Sequence, residues 1–87
     1  MTPDVHITAS SRRAARLLRK QLEGYDVEIE RDGESWRIIA RNPGRGGDAR
    51  LLFHIAEAAR EIVDEDPDVE LHLLDDGRRM RLPPPES

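Results

Sequence analysis

Val5, Ile7 and Ala9 alternate with His6 and Thr8, the two-residue period of a strand with one buried face. Ser10 or Ser11 then supplies an N-cap. From Arg12 to Glu23 the period lengthens. Ala14, Ala15, Leu18 and Leu22 fall on one helical stripe with Leu17 at its flank, and Gly24 is placed to stop the helix. Val27 and Ile29 next alternate with acids, Arg31-Asp32-Gly33-Glu34 intervenes, and Ser35 to Arg41 alternates again. Asp-Gly between alternating runs predicts a two-residue type I′ hairpin. Its register would set Arg31 opposite Glu34, Ile29 opposite Trp36, Glu28 opposite Arg37 and Val27 opposite Ile38. Val27, Ile29, Trp36 and Ile38 then share the core face, while Glu28, Glu30, Arg37, Ile39 and Arg41 share the other.

Asn42-Pro43-Gly44-Arg45-Gly46-Gly47 has loop composition. Asp48 is placed to cap a second helix running to about Asp64, with Leu51, Leu52, Ile55, Ala59, Ile62 and Val63 as its apolar stripe. Pro67 ends that region. Val69, Leu71 and Leu73 alternate with Glu70, His72 and Leu74, and Asp76-Gly77 turns the chain back, so that Leu73 faces Met80 and Leu71 faces Leu82. Asp26-Val27-Glu28 and Asp68-Val69-Glu70 each follow a helix and open an Asp-Gly hairpin, an internal repeat of the helix–strand–strand unit.

Five amphipathic strands and two amphipathic helices predict an α+β fold, a ferredoxin-like two-layer sandwich. Right-handed crossovers and the two hairpins give a five-stranded antiparallel sheet in the order 5-4-1-3-2, with both helices on one face. Residues 1–82 form a single β-α-β-β-α-β-β domain, and 83–87 a proline-rich extended or disordered tail. Arg12 and Arg13 stand at the positive end of the first helix, and Glu61, Asp64 and Glu65 at the negative end of the second. Each misplaced charge costs about 0.3–1 kcal/mol. Antiparallel helices would bring Arg12, Arg13 and Arg16 beside those acids, within one chain or across a dimer.

Residues 5–40 read strand, Ser10-Ser11, arginine-rich helix, Gly24-Tyr25, Asp32-Gly33 hairpin, an order that resembles the first half of SPOR-type peptidoglycan-binding domains. Many ferredoxin-like domains share it, and it assigns no family. The export signal or membrane anchor that usually accompanies such domains is not seen here. The Cys-x-x-Cys of heavy-metal-associated domains and the Gly-rich anion loop of acylphosphatases are missing as well.

Composition narrows the chemistry. The 87 residues contain no cysteine, which removes disulfides, thiolate ligands and thiol nucleophiles. No basic-then-apolar leader opens the chain, and no apolar run approaches the roughly 18 residues of a membrane span, so the expected location is cytoplasmic, with no membrane contact. The net charge of −4 is unevenly laid out: residues 1–50 carry ten basic and eight acidic groups, residues 51–87 four and ten. A uniformly basic nucleic-acid binder is excluded.

Candidate sites follow from the faces. The sheet surface turned away from the helices should display His6, Arg37, Ile39, Arg41, His72, Leu74, Arg79 and Arg81, with Ile39 and Leu74 apolar where the pattern expects solvent. It is the expected binding surface for a protein partner or for a second copy of the chain, most simply in a homodimer. Arg12, Arg13, Arg16, Arg19 and Lys20 on the first helix, with Arg45, form an alternative phosphate-contacting surface for a nucleic-acid-associated role. The Gly-rich loop before the second helix is a third candidate, for an anion or metabolite. His6 and His72 are too few for a metal site, and His54 has no Ser or Asp partner. No catalytic residue, cofactor or metal is expected, and the function read here is that of a non-enzymatic interaction or accessory module.

Overall fold

The structure, a computed structural model, describes residues 4–41, 48–75 and 77–82. The loop expected at 42–47, the first residue of the second Asp-Gly turn and the tail at 83–87 lie outside them. The elements are β1 (Val5–Ala9), α1 (Arg12–Gln21), β2 (Asp26–Asp32), β3 (Ser35–Arg41), α2 (Asp48–Glu65), β4 (Leu71–Asp75) and β5 (Arg78–Leu82). All pairings are antiparallel, in the order β2-β3-β1-β4-β5, the predicted order read from the other edge.

Ser11 is the N-cap. Its backbone is extended and its Oγ accepts the Ala14 N–H at 3.1 Å, satisfying one of the orphan amides of the first turn. Ser10 does something else: its N–H donates to the Glu70 carbonyl at 3.0 Å and its Oγ accepts the Glu70 N–H at 2.9 Å, extending the β1–β4 contact beyond the ladder. α1 closes at Gln21, two residues before the expected end, and Gly24 (φ 98°) turns the chain toward β2.

The first hairpin differs from expectation. Ile29 stands opposite Ile38, Arg31 opposite Trp36 and Asp32 opposite Ser35, so the loop residues are Gly33-Glu34 rather than Asp32-Gly33. Gly33 (φ 66°) thereby takes the first loop position, where the primed hairpin turns require positive φ. Two cross-strand contacts accompany this register. The Arg31 guanidinium sits 5.8 Å from the Trp36 ring centroid, and Arg37 donates to Asp32 at 3.0 Å. Partners change by two residues, which preserves parity, so every side chain keeps its predicted face. The second hairpin has the predicted register, Leu73 opposite Met80 and Leu71 opposite Leu82.

The core lies between the helices and one sheet face. Ile7, Ile38 and Leu71 from the sheet, Leu18 from α1, Leu22 just beyond it, and Leu51 and Ile55 from α2 are almost wholly removed from water. Trp36 is half-buried between two guanidinium groups, Arg12 and Arg31, each 5.8 Å from its ring centroid. Met80 points to the helix side as expected but stays 49% exposed, because it sits on the edge strand; Leu52, expected in the α2 stripe, is 39% exposed at its flank. β4 begins at Leu71, and Val69, expected within it, is buried just ahead of the strand.

The helices are antiparallel. Arg13 at the start of α1 shares a cavity of about 270 Å³ with Glu65 and Asp66 at the end of α2, while the Tyr25 ring past the other end of α1 lies 5.8 Å from His54. Of the two charge clusters expected to meet, only Arg13 and Glu65 share that cavity, and among the described residues no ion pair within 4.0 Å joins them. Arg12 lies over the Trp36 ring, and Arg16 borders clefts lined, among the described residues, by no residue of α2.

Ser11→Ala should lower stability by about 1 kcal/mol through loss of the cap, and Arg31→Ala by about 0.5–1 kcal/mol through loss of a cation–π contact. Denaturant titrations read by the emission of Trp36, the one tryptophan, measure both. An unchanged midpoint for Arg31→Ala would mean that its contact with Trp36 does not help set the register.

Candidate functional site

The strand pairings lay two rows of side chains across the face opposite the helices. One reads Glu28, Ile39, His6, Leu74, Arg79 from β2 to β5, and the next Glu30, Arg37, Thr8, His72, Arg81. Every sheet-face residue singled out from the sequence falls in these rows except Arg41, which lies opposite Asp26 at the end of β3. The β2 end of the face carries Asp26, Glu28, Glu30 and Asp32. The β5 end carries only Arg79 and Arg81.

The centre is less open than the pattern implied. Ile39 is 8% exposed and Thr8 5%, although no helix covers them. Their cross-strand neighbours are long: Glu28 and His6 flank Ile39, and Arg37 and His72 flank Thr8. Such side chains lay their stems over apolar neighbours while keeping their polar ends wet. Leu74 is half-buried and carries the apolar character that reaches solvent, while Arg79 and Arg81 are exposed.

Ion pairs gather on one side. Arg37 bonds Asp32 at 3.0 Å, and Arg41 bonds Asp4 at 2.8 Å with Glu28 at 3.9 Å. Asp4, by its hydrogen bond and its charge, raises the Arg41 pKa above the ordinary arginine value. These pairs are solvent-accessible and worth roughly 0–1 kcal/mol each. Arg37 Nε is covered and, among the described residues, without an acceptor. Neither Arg79, Arg81 nor Glu30 has an opposite charge within 4.0 Å among the described residues.

His6 and His72 are diagonal neighbours on β1 and β4. Among the described residues no three His, Cys, Asp or Glu side chains converge as a metal would require. His54 rests against the rings of Tyr25 and Phe53, at 5.8 and 6.0 Å.

The second surface is α1. At 100° per residue, Arg12, Arg13, Arg16, Arg19 and Lys20 occupy an arc of about 120°, opposite buried Ala14, Ala15 and Leu18. All five are exposed, the helix contains no acid, and none of the five has a carboxylate within 4.0 Å among the described residues. Arg16 and Lys20 border two open clefts, one of about 520 Å³ reaching Tyr25 and one of about 460 Å³ reaching Arg12. Arg45 and the Gly-rich loop lie outside the described residues.

Among the contacts that the pattern reading missed are Asp4 with Arg41, Ser10 with Glu70, and Trp36 between Arg12 and Arg31. Two of them were reachable from the register. Pairing Val5 with Ala40 places Asp4 across from Arg41, and pairing Ala9 with Leu71 places Ser10 across from Glu70. Among the described residues no helix is long and apolar enough to cross a membrane. Compared with protein-family models, curated proteins and solved structures, the chain shows no match.

Proposed function

We propose that the chain is a small non-enzymatic interaction module of the cytosol, built on a ferredoxin-like framework with a fifth strand, that self-associates through its open sheet face. One observation carries this reading. The middle of the face bears His6, Thr8, Ile39, His72 and Leu74, with one central charge, Arg37, paired to Asp32, while Glu30, Arg79 and Arg81, which have no opposite charge within 4.0 Å among the described residues, stand toward the edges. A weakly charged centre inside a charged rim is the arrangement of protein–protein interfaces. The edges discourage indiscriminate strand addition, since β2 is lined with charge and β5 has only five residues.

The parent chain should pass from monomer to dimer as its concentration rises in sedimentation equilibrium. Leu74→Asp puts a charge on the half-buried apolar side chain of the face and should keep the protein monomeric with Trp36 emission unchanged. Ile39 is a poorer probe, being already buried in the single chain. A parent that is monomeric throughout, or a Leu74→Asp variant that dimerises like the parent, would refute the reading.

The unneutralised arc on α1 favours a second reading, contact with the phosphates of a nucleic acid through Arg12, Arg13, Arg16, Arg19 and Lys20. Binding to single- or double-stranded DNA at about 50 mM salt should weaken steeply as salt is raised. Replacing Arg16, Arg19 and Lys20 by alanine should flatten that dependence. No binding at the low salt concentration removes this reading.

A further inference from the structure

The two rows have a property that neither shows alone. Each reads acid, β3 residue, β1 residue, β4 residue, base, so turning a row end over end brings its acid onto its base. We infer that two open faces pack about a two-fold axis running along β1, so that β2 of each copy lies over β5 of the other. This rests on the open face being the self-associating surface and adds the identity and orientation of the partner.

An axis along β1 carries each strand to the opposite side of the sheet. In the first row Glu28 comes over the partner's Arg79, Ile39 over the partner's Leu74, and His6 over the partner's His6. In the second, Glu30 comes over the partner's Arg81, Arg37 over the partner's His72, and Thr8 over the partner's Thr8. The acids of β2 thus meet the arginines of β5 that have no carboxylate within 4.0 Å among the described residues. At the same time the partner's Leu74, the apolar side chain that reaches solvent, comes down over Ile39 and the side chains that cover it. An in-plane axis perpendicular to the strands stacks β2 on β2 and β5 on β5, acid over acid and arginine over arginine. Orthogonal packing crosses the rows and matches neither edge. Like charges set directly opposite are destabilising, so charge selects the first arrangement from the geometries open to paired sheets.

The twist of packed sheets does not break the match. The edge strands lie about 10 Å from the axis, and the usual 30° between packed sheets displaces them by about 5 Å. An arginine and a glutamate side chain together span that offset. Five strands of at least five residues present a projected area of about 400 Å² per copy, below the roughly 800 Å² per partner of a standard interface. The dimer therefore belongs to the weak, concentration-dependent class.

Two charge-reversed chains test the inference, Glu28→Arg/Glu30→Arg and Arg79→Glu/Arg81→Glu. Each alone should be monomeric at concentrations where the parent dimerises, with at least a tenfold loss of affinity. An equimolar mixture should recover a heterodimer of parental affinity, because all four edge contacts are opposite in sign again. A second arm uses the absence of cysteine. His6→Cys places single thiols on the axis, and a short bis-maleimide should join the two copies. Arg81→Cys should not self-link, since its two copies sit at opposite edges about 19 Å apart. A reversed chain that dimerises alone, a mixture that stays monomeric while Leu74→Asp still abolishes the parent dimer, or self-linking at position 81 overturns the two-fold and leaves the open-face reading intact. A Leu74→Asp variant that dimerises like the parent removes both.

Discussion

Seven side chains, Ile7, Leu18, Leu22, Ile38, Leu51, Ile55 and Leu71, lose nearly all contact with water where the helices lie on the sheet. At about 1.5–3 kcal/mol each, their burial outweighs the surface ion pairs, worth roughly 0–1 kcal/mol apiece. Burial therefore decides orientation. Once Ile7, Ile38 and Leu71 face the helices, the two-residue period of a strand sends His6, Thr8, Arg37, Ile39, His72 and Leu74 to the other side. The outer face has the residues it has because their sequence neighbours are core.

This is also why so much of the architecture was readable from the chain. Period and turn chemistry fix parity and parity fixes faces, while right-handed crossovers and the two hairpins select the β2-β3-β1-β4-β5 order. Register within a face is less constrained. Around Gly33, a loop of Asp32-Gly33 and a loop of Gly33-Glu34 both put glycine in the turn and both hide Val27 and Ile29. The observed choice comes with contacts that the alternation does not encode, Arg31 with Trp36 and Asp32 with Arg37. Exposure was misjudged at Ile39 and Met80 for a related reason. Alternation says which way a side chain points, not how far its neighbours' stems reach or whether a helix extends over an edge strand.

The candidate surface was legible as a set of residues and not as an arrangement. His6, Arg37, Ile39, His72, Leu74, Arg79 and Arg81 could all be assigned to the outer face from the pattern. Their order within rows needs four strand pairings: the β4–β5 register was legible from the Asp76-Gly77 turn, the β2–β3 register differs by two residues from the one read there, and β1 with β3 and β1 with β4 come only with the fold. The overall charge of −4 conceals the same fact. What matters is that opposite charges collect at opposite margins of one face, while α1 keeps a separate band of five cations.

The N-terminal strand is the middle strand of the sheet, and one of its two neighbours, β4, comes from the last third of the chain. Ser10 and Glu70, sixty positions apart, bond to each other at that junction. During synthesis β1, α1, β2 and β3 emerge first and can assemble a three-stranded layer whose border is β1 itself. Until β4 leaves the ribosome, that border offers unpaired amides and carbonyls flanked by Ile7 and Ala9, the exposed edge that invites pairing with the wrong chain. Folding to this topology thus makes the interval between emergence of β3 and emergence of β4 the period when the nascent molecule is most vulnerable to aggregation.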